Sequence, residues 1–115
     1  MRKINFIIPN EWGQYLYRIL SPIKELVDGI WEVDDIGEVD DLQAWENING
    51  EMVDLFDSKY FSNQEFFSLL GSHVYYIVSG KFSLKSPHEN RKDNMNTPYL
   101  EVIVTDSVYI DISSV

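Results

Sequence analysis

The chain contains no cysteine. That excludes a disulfide framework, thiolate metal sites and cysteine nucleophiles together, and it suits a reducing compartment. It also lacks any long apolar run. Ile4 to Ile8, behind Arg2 and Lys3, is interrupted by Asn5 and stopped by Pro9, too short for a signal-peptide core and far below the ~20 residues that span a bilayer. The reading is a soluble, cytoplasmic protein without a membrane segment.

Basic residues are missing from one long stretch. Between Glu25 and Ser58 there are twelve acids and no Lys, Arg or His, whereas the rest of the chain sums to +2, so the net charge of −10 comes from this segment. A pI near 4.4 argues against a nucleic-acid ligand, because phosphate binding is driven by cations that this composition supplies sparsely. Catalytic signatures are missing too. The two histidines, His73 and His88, share no ligand spacing, and the chain has no nucleophile elbow, phosphate loop, HExxH or dinucleotide fingerprint. Asp34-Asp35-Ile36-Gly37-Glu38 lacks the alternating ligands and closing glutamate of a calcium loop. The expectation is a protein that is not an enzyme and carries no cofactor or metal.

What is present is hydrophobic content of 44% in 115 residues, enough for one core, so residues 1–115 read as a single domain. Ile4, Phe6 and Ile8 read as a short, mostly buried strand. Asn10 is a plausible N-cap, and Trp12, Tyr15, Leu16, Ile19, Leu20, Ile23, Val27 and Ile30 then recur at helical spacing. This predicts a long helix, kinked at Pro22 and ended by Gly29. Ile30 to Val33 reads as strand. Asn49-Gly50 predicts a type I′ hairpin between Ala44–Ile48 and Glu51–Phe56. Ser62-Asn63-Gln64-Glu65 is a capping box that opens a short second helix carrying Phe66, Phe67, Leu69 and Leu70.

Val74, Tyr76, Val78, Phe82 and Leu84 alternate with Ser79, Lys81, Ser83 and Lys85, predicting a strand with Gly80 at a bulge or a close backbone approach. Ser86 to Pro98 reads as a mobile polar loop. A final hairpin with Thr105, Asp106 and Ser107 as its loop sets Val104 against Val108, Val102 against Ile110 and Leu100 against Ile112, and places Glu101 opposite Asp111. The fold class expected is α+β, a mostly antiparallel sheet with one long kinked N-terminal helix and one short helix packed on it.

Twelve like charges have two readings. Acids keep a small domain soluble, and a one-signed surface also steers a basic partner. Charge alone favours the first; Trp31, Trp45 and Met52, interleaved with the acids, favour the second, since aromatic anchors among charges characterise interface hot spots. Core packing is the alternative fate of both tryptophans. On the interface reading, Asp34, Asp35, Glu38, Asp40 and Asp41 supply charge and Trp31 and Trp45 supply anchors for a basic protein partner. A different reading is a regulatory or small-molecule-binding domain with a pocket between the first helix and the sheet, lined by Trp12, Tyr15 and Tyr76. The sequence carries no sign of the oligomeric state.

The opening strand followed by Pro9-Asn10-Glu11-Trp12-Gly13 and a Tyr/Leu-rich helix resembles a small family of uncharacterised proteins from Gram-positive bacteria. The resemblance returns at the Phe66-Phe67 helix and at Val74-Tyr75-Tyr76-Ile77, covers roughly half the chain, and implies no activity. In size and character the chain also resembles immunity proteins of bacterial toxin systems, small acidic cytoplasmic α+β domains that plug a cationic toxin. That resemblance implies an inhibitor of a bacterial toxin.

Overall fold

The computed structural model describes residues 2–8, 11–25, 28–34, 42–85 and 100–114. Strand β1 (Arg2–Ile7) leads to helix α1 (Tyr15–Leu20) and a 3-10 turn (Ser21–Ile23). Strands β2 (Ile30–Asp34), β3 (Gln43–Ile48), β4 (Glu51–Asp54) and β5 (Tyr60–Ser62) precede helix α2 (Asn63–Ser72), and β6 (Tyr75–Lys85), β7 (Leu100–Thr105) and β8 (Tyr109–Ser114) complete the chain. The strands pair antiparallel in the order β1-β8-β7-β6-β2-β5, with the β3–β4 hairpin joined to β6 through β3.

The expected long N-terminal helix does not form. Gly13 exchanges both backbone hydrogen bonds with Tyr75, at 3.0 and 3.1 Å, so Gly13 is bridged to β6, Trp12 before it lies in a bend, and helix starts only after Gln14. Pro22 has no N–H to continue an α ladder, and the chain tightens into the 3-10 turn at Ser21. Ile30, at the end of the apolar stripe, belongs to β2. Helix α1 thus has six residues, and Val27 and the proposed Asn10 cap lie outside the described residues. The Gln14 side chain donates to the carbonyls of Gly71 and His73, both at 3.1 Å, and so closes the C-terminal end of α2.

The capping box forms as read. Glu65 N–H donates to Ser62 Oγ at 3.1 Å while Ser62 N–H donates to Glu65 Oε1 at 2.9 Å. The Asn49-Gly50 turn also forms, with φ of 51° and 87°. In the last hairpin the paired face is the expected one but the register differs by two residues, with Val104 opposite Ile110 and Val102 opposite Ile112. Asp106 and Ser107 take φ of 52° and 56° in its loop. Glu101 consequently faces Ser113, and Asp111 lies between Ile103 and Asn5, whose side-chain amide donates to its carboxylate.

The core lies under α2 and α1. Trp31, Phe66, Phe82, Leu16, Leu20, Tyr75 and Ile77 are fully buried or nearly so. Trp31 stacks on Phe66 with ring centroids 4.4 Å apart, and Phe56 meets Phe82 at 5.4 Å. Strand β6 departs from the expected alternation. Tyr75 and Ile77 are buried in its first half and Phe82 and Leu84 in its second, while Val74 is exposed and Tyr76 and Val78 only half-buried. Gly80 stands where the buried face changes, and a Cβ there would lie 2.9 Å from the Leu42 side chain and 3.0 Å from the Phe82 ring, so the neighbours that crowd it are side chains and not backbone. Strand β1 is not buried as expected. Ile4, Phe6 and Ile7 are exposed along it.

Candidate functional site

The first half of β6 turns Tyr75 inward and Tyr76 outward, because successive side chains leave a strand on opposite faces. Inside, the Tyr75 hydroxyl accepts from Tyr17 N–H at 3.1 Å, and the Tyr15 hydroxyl accepts from Ile77 N–H at 2.7 Å. Burial pushes the Tyr15 phenol up to about 12 and raises that of Tyr75 further. Outside, Trp12 packs on Tyr76 with centroids 5.7 Å apart, held there by the Gly13–Tyr75 bridge. Tyr15 and Trp12 therefore sit on opposite faces of β6 and do not line one pocket with Tyr76.

Strand β3 extends this outer face. Trp45 is directly opposite Tyr76 in register, and Asp54 of β4 is directly opposite Trp45. Directly opposed residues share a face. Met52, opposite Asn47, continues the same face and is 54% exposed, while Trp12 is 38% exposed. The Tyr76 hydroxyl donates to Ser107 Oγ at 3.2 Å, which fixes the ring and brings the last hairpin loop to the rim. Exposed acidic residues neighbour these rings in the chain or across the hairpin. Glu11 precedes Trp12, Asp54 faces Trp45, and Asp106 precedes Ser107. The guanidinium of Arg18 lies against Gly13 on the α1 side.

The residues expected to meet a partner are dispersed. Trp31 has no exposed surface; it stacks on Phe66, and its Nε1–H donates to Asn63 Oδ1 at 2.9 Å. Asp34 ends β2 with its carboxylate 3.7 Å from the Lys59 ammonium. Glu32 beside it meets Lys85 at 2.5 Å and Lys59 at 3.5 Å, and the Lys85 hydrogen bond holds its carboxyl below the usual range. Those two acids are engaged in a mixed-charge cluster. Asp35, Glu38, Asp40 and Asp41 lie outside the described residues. Of the expected residues that the structure describes, Trp45 alone belongs to the aromatic face, where Trp12, Tyr76 and Met52 join it.

Among the described residues, no group of three or more His, Asp or Glu gathers at metal-binding spacing, and no helix is long and apolar enough to cross a membrane. His73 Nδ1 pairs with Glu46 Oε1. An apolar cavity of about 220 Å³ between α1 and the β1–β8 end of the sheet is smaller than the ~300 Å³ at which drug-sized ligand sites begin. The chain matches no protein-family model, no curated protein and no solved structure.

Proposed function

We propose that the chain is a small acidic binding protein that neutralises a basic protein partner, in the manner of an immunity protein plugging a bacterial toxin. The supporting observation is the outer face of β6 and β3, where Trp12, Tyr76 and Trp45 share the surface with Asp54 directly opposite Trp45, and exposed Glu11 and Asp106 next in the chain to Trp12 and Ser107. Rigid aromatic side chains with two rotatable bonds supply contact area at low entropic cost, and flanking carboxylates steer a cationic surface toward them. A net charge of −10 adds long-range attraction for the same kind of partner.

The test is kinetic. A partner captured from the source cells should be basic, and its association should slow as salt rises because the Debye length shrinks. Trp45→Ala and Trp12→Ala should each weaken binding by about 2 kcal/mol, roughly thirtyfold and mainly in the off-rate, with the fold intact. An acidic partner, or a basic one whose affinity is untouched by both substitutions, would sink the proposal.

A further inference from the structure

Strand β1 is the terminal strand of the sheet path, paired only with β8 among the described residues. Beyond Arg2 and Lys3 at its start it carries none of the charge that normally runs along a protected edge, and at six residues it is not very short. Ile4 is 55% exposed and Ile7 79% exposed, with Phe6 also open. Ile7 and its cross-strand neighbour Tyr109 form an apolar pair on one face. On the other face Ile4 and Phe6 form the open wall of the 220 Å³ cavity, whose remaining lining includes Ile19, Ile23 and Ile112. The Ile4–Phe6 face of this edge is therefore apolar, while the opposite face is mixed, Ile7 standing with Lys3 and the hydrogen-bonded Asn5–Asp111 pair.

The hydrogen-bonding parity of the edge follows from one contact. Ile8 N–H donates to Val108 at 2.9 Å, so the even-numbered residues of this strand turn their backbone groups toward β8. Lys3, Asn5 and Ile7 then present N–H and C=O outward. We infer that this edge pairs with the same edge of a second copy, antiparallel about a two-fold axis at Asn5. In that register Lys3 faces Ile7 of the second copy and Asn5 faces Asn5, all three residues having outward backbone groups, and Ile4 faces Phe6.

This is the two-fold register that pairs every residue from 2 to 8. A shift of two in either direction pairs fewer of the described residues with one another. The only charges in this span, Arg2 and Lys3, fall at opposite ends of the seam, so like charges do not meet. An axis normal to the sheet keeps the two α1 helices on one side, so Ile4 of each copy covers Phe6 of the other and the two half-open cavities close against each other. Such isologous pairing is self-complementary by construction. It leaves the Trp12–Tyr76–Trp45 face free, since that face belongs to β6 and β3.

Light scattering across protein concentration tests the pairing, with the mass expected to rise from 13.4 kDa toward twice that value. Phe6→Lys should hold the protein at the single-copy mass while its circular dichroism stays native. Because the chain has no cysteine, the register is read separately by single substitutions. Asn5→Cys should link two copies on mild oxidation, whereas Lys3→Cys and Ile7→Cys should not. A single-copy mass at every concentration overturns the inference. So does a dimer in which Asn5→Cys fails to link or in which Lys3→Cys links equally well.

Discussion

Replacing Trp31 by alanine separates core from surface most sharply. The indole is fully buried, stacked at 4.4 Å on Phe66 with the planes 12° apart, and meets Phe67 edge-on at 6.2 Å. A buried aromatic removes ~200 Å² from water, which at ~25 cal/mol per Å² corresponds to roughly 5 kcal/mol as an upper bound. Large-to-alanine changes in cores cost about 3–5 kcal/mol, because surrounding side chains refill the cavity only in part. Here the wall opposite the indole is the ring of Phe66, itself held between Phe56 and Phe82, so collapse is restricted. The Asn63 carbonyl also loses its indole donor while its amide stays on Lys24. We expect a loss of about 4 kcal/mol, a large share of the 5–15 kcal/mol typical of a domain. Urea unfolding followed by far-ultraviolet circular dichroism measures it, with a lower midpoint and a nearly unchanged slope. Trp45→Ala, on the outer face of β3, should cost less than about 2 kcal/mol in the same assay. A loss below about 1.5 kcal/mol for Trp31→Ala, or equal losses for both, would falsify this division.

That division was not legible in the sequence. Trp31 and Trp45 sit among the same acids, and only the placement of α2 across β2 buries one while the other follows β3 outward. Local chemistry was readable where a few neighbouring residues decide it. Ser62 and Glu65 satisfy each other's backbone, and Asn49-Gly50 alone fixes Trp45 opposite Asp54. Periodicity was less informative. A period-two pattern fixes which face is apolar but is blind to a slip of two residues, and in the last hairpin the pairs shifted by that amount with Val102 and Ile110 still buried. In the N-terminal third, apolar residues at helical spacing came from three different sources. Trp12 lies in the bend before the Gly13 bridge to β6, Tyr15 to Leu20 are helix, and Ile30 is strand. Spacing cannot report the Gly13–Tyr75 bridge that separates them, because the two residues lie far apart in the chain. Likewise the change of buried face along β6 depends on what lies above each half: α1 over Tyr75, and Phe56 and Phe66 over Phe82.

Two further outcomes are expected. Gly80→Ala should destabilise by about 1–3 kcal/mol, since its Cβ would press on Leu42 and on the buried ring of Phe82; a change within 0.5 kcal/mol in either direction, on the scale of ordinary surface substitutions, would show that both side chains give way freely. The second outcome is a loss of stability in alkali. Tyr15 titrates near 12 in the folded chain against 10.0 for a free phenol, so between those values the native state holds a proton that the unfolded state has released. The tyrosine's contribution is therefore complete below pH 10 and is lost as pH rises toward 12. Two pH units at about 1.4 kcal/mol each put the loss at roughly 2–3 kcal/mol. Tyr75, raised by the same burial, steepens the decline. Urea midpoints measured from pH 9 to pH 12 should fall accordingly, and Tyr15→Phe should flatten the fall, although it forfeits the hydroxyl that accepts from Ile77 and so starts from lower stability. An identical pH slope in Tyr15→Phe, or phenolate absorbance showing all seven tyrosines ionising together near pH 10, means that the hydroxyls behind β6 are open to water. The inner face of β6 would then not be the dry support on which the Trp12–Tyr76–Trp45 face rests.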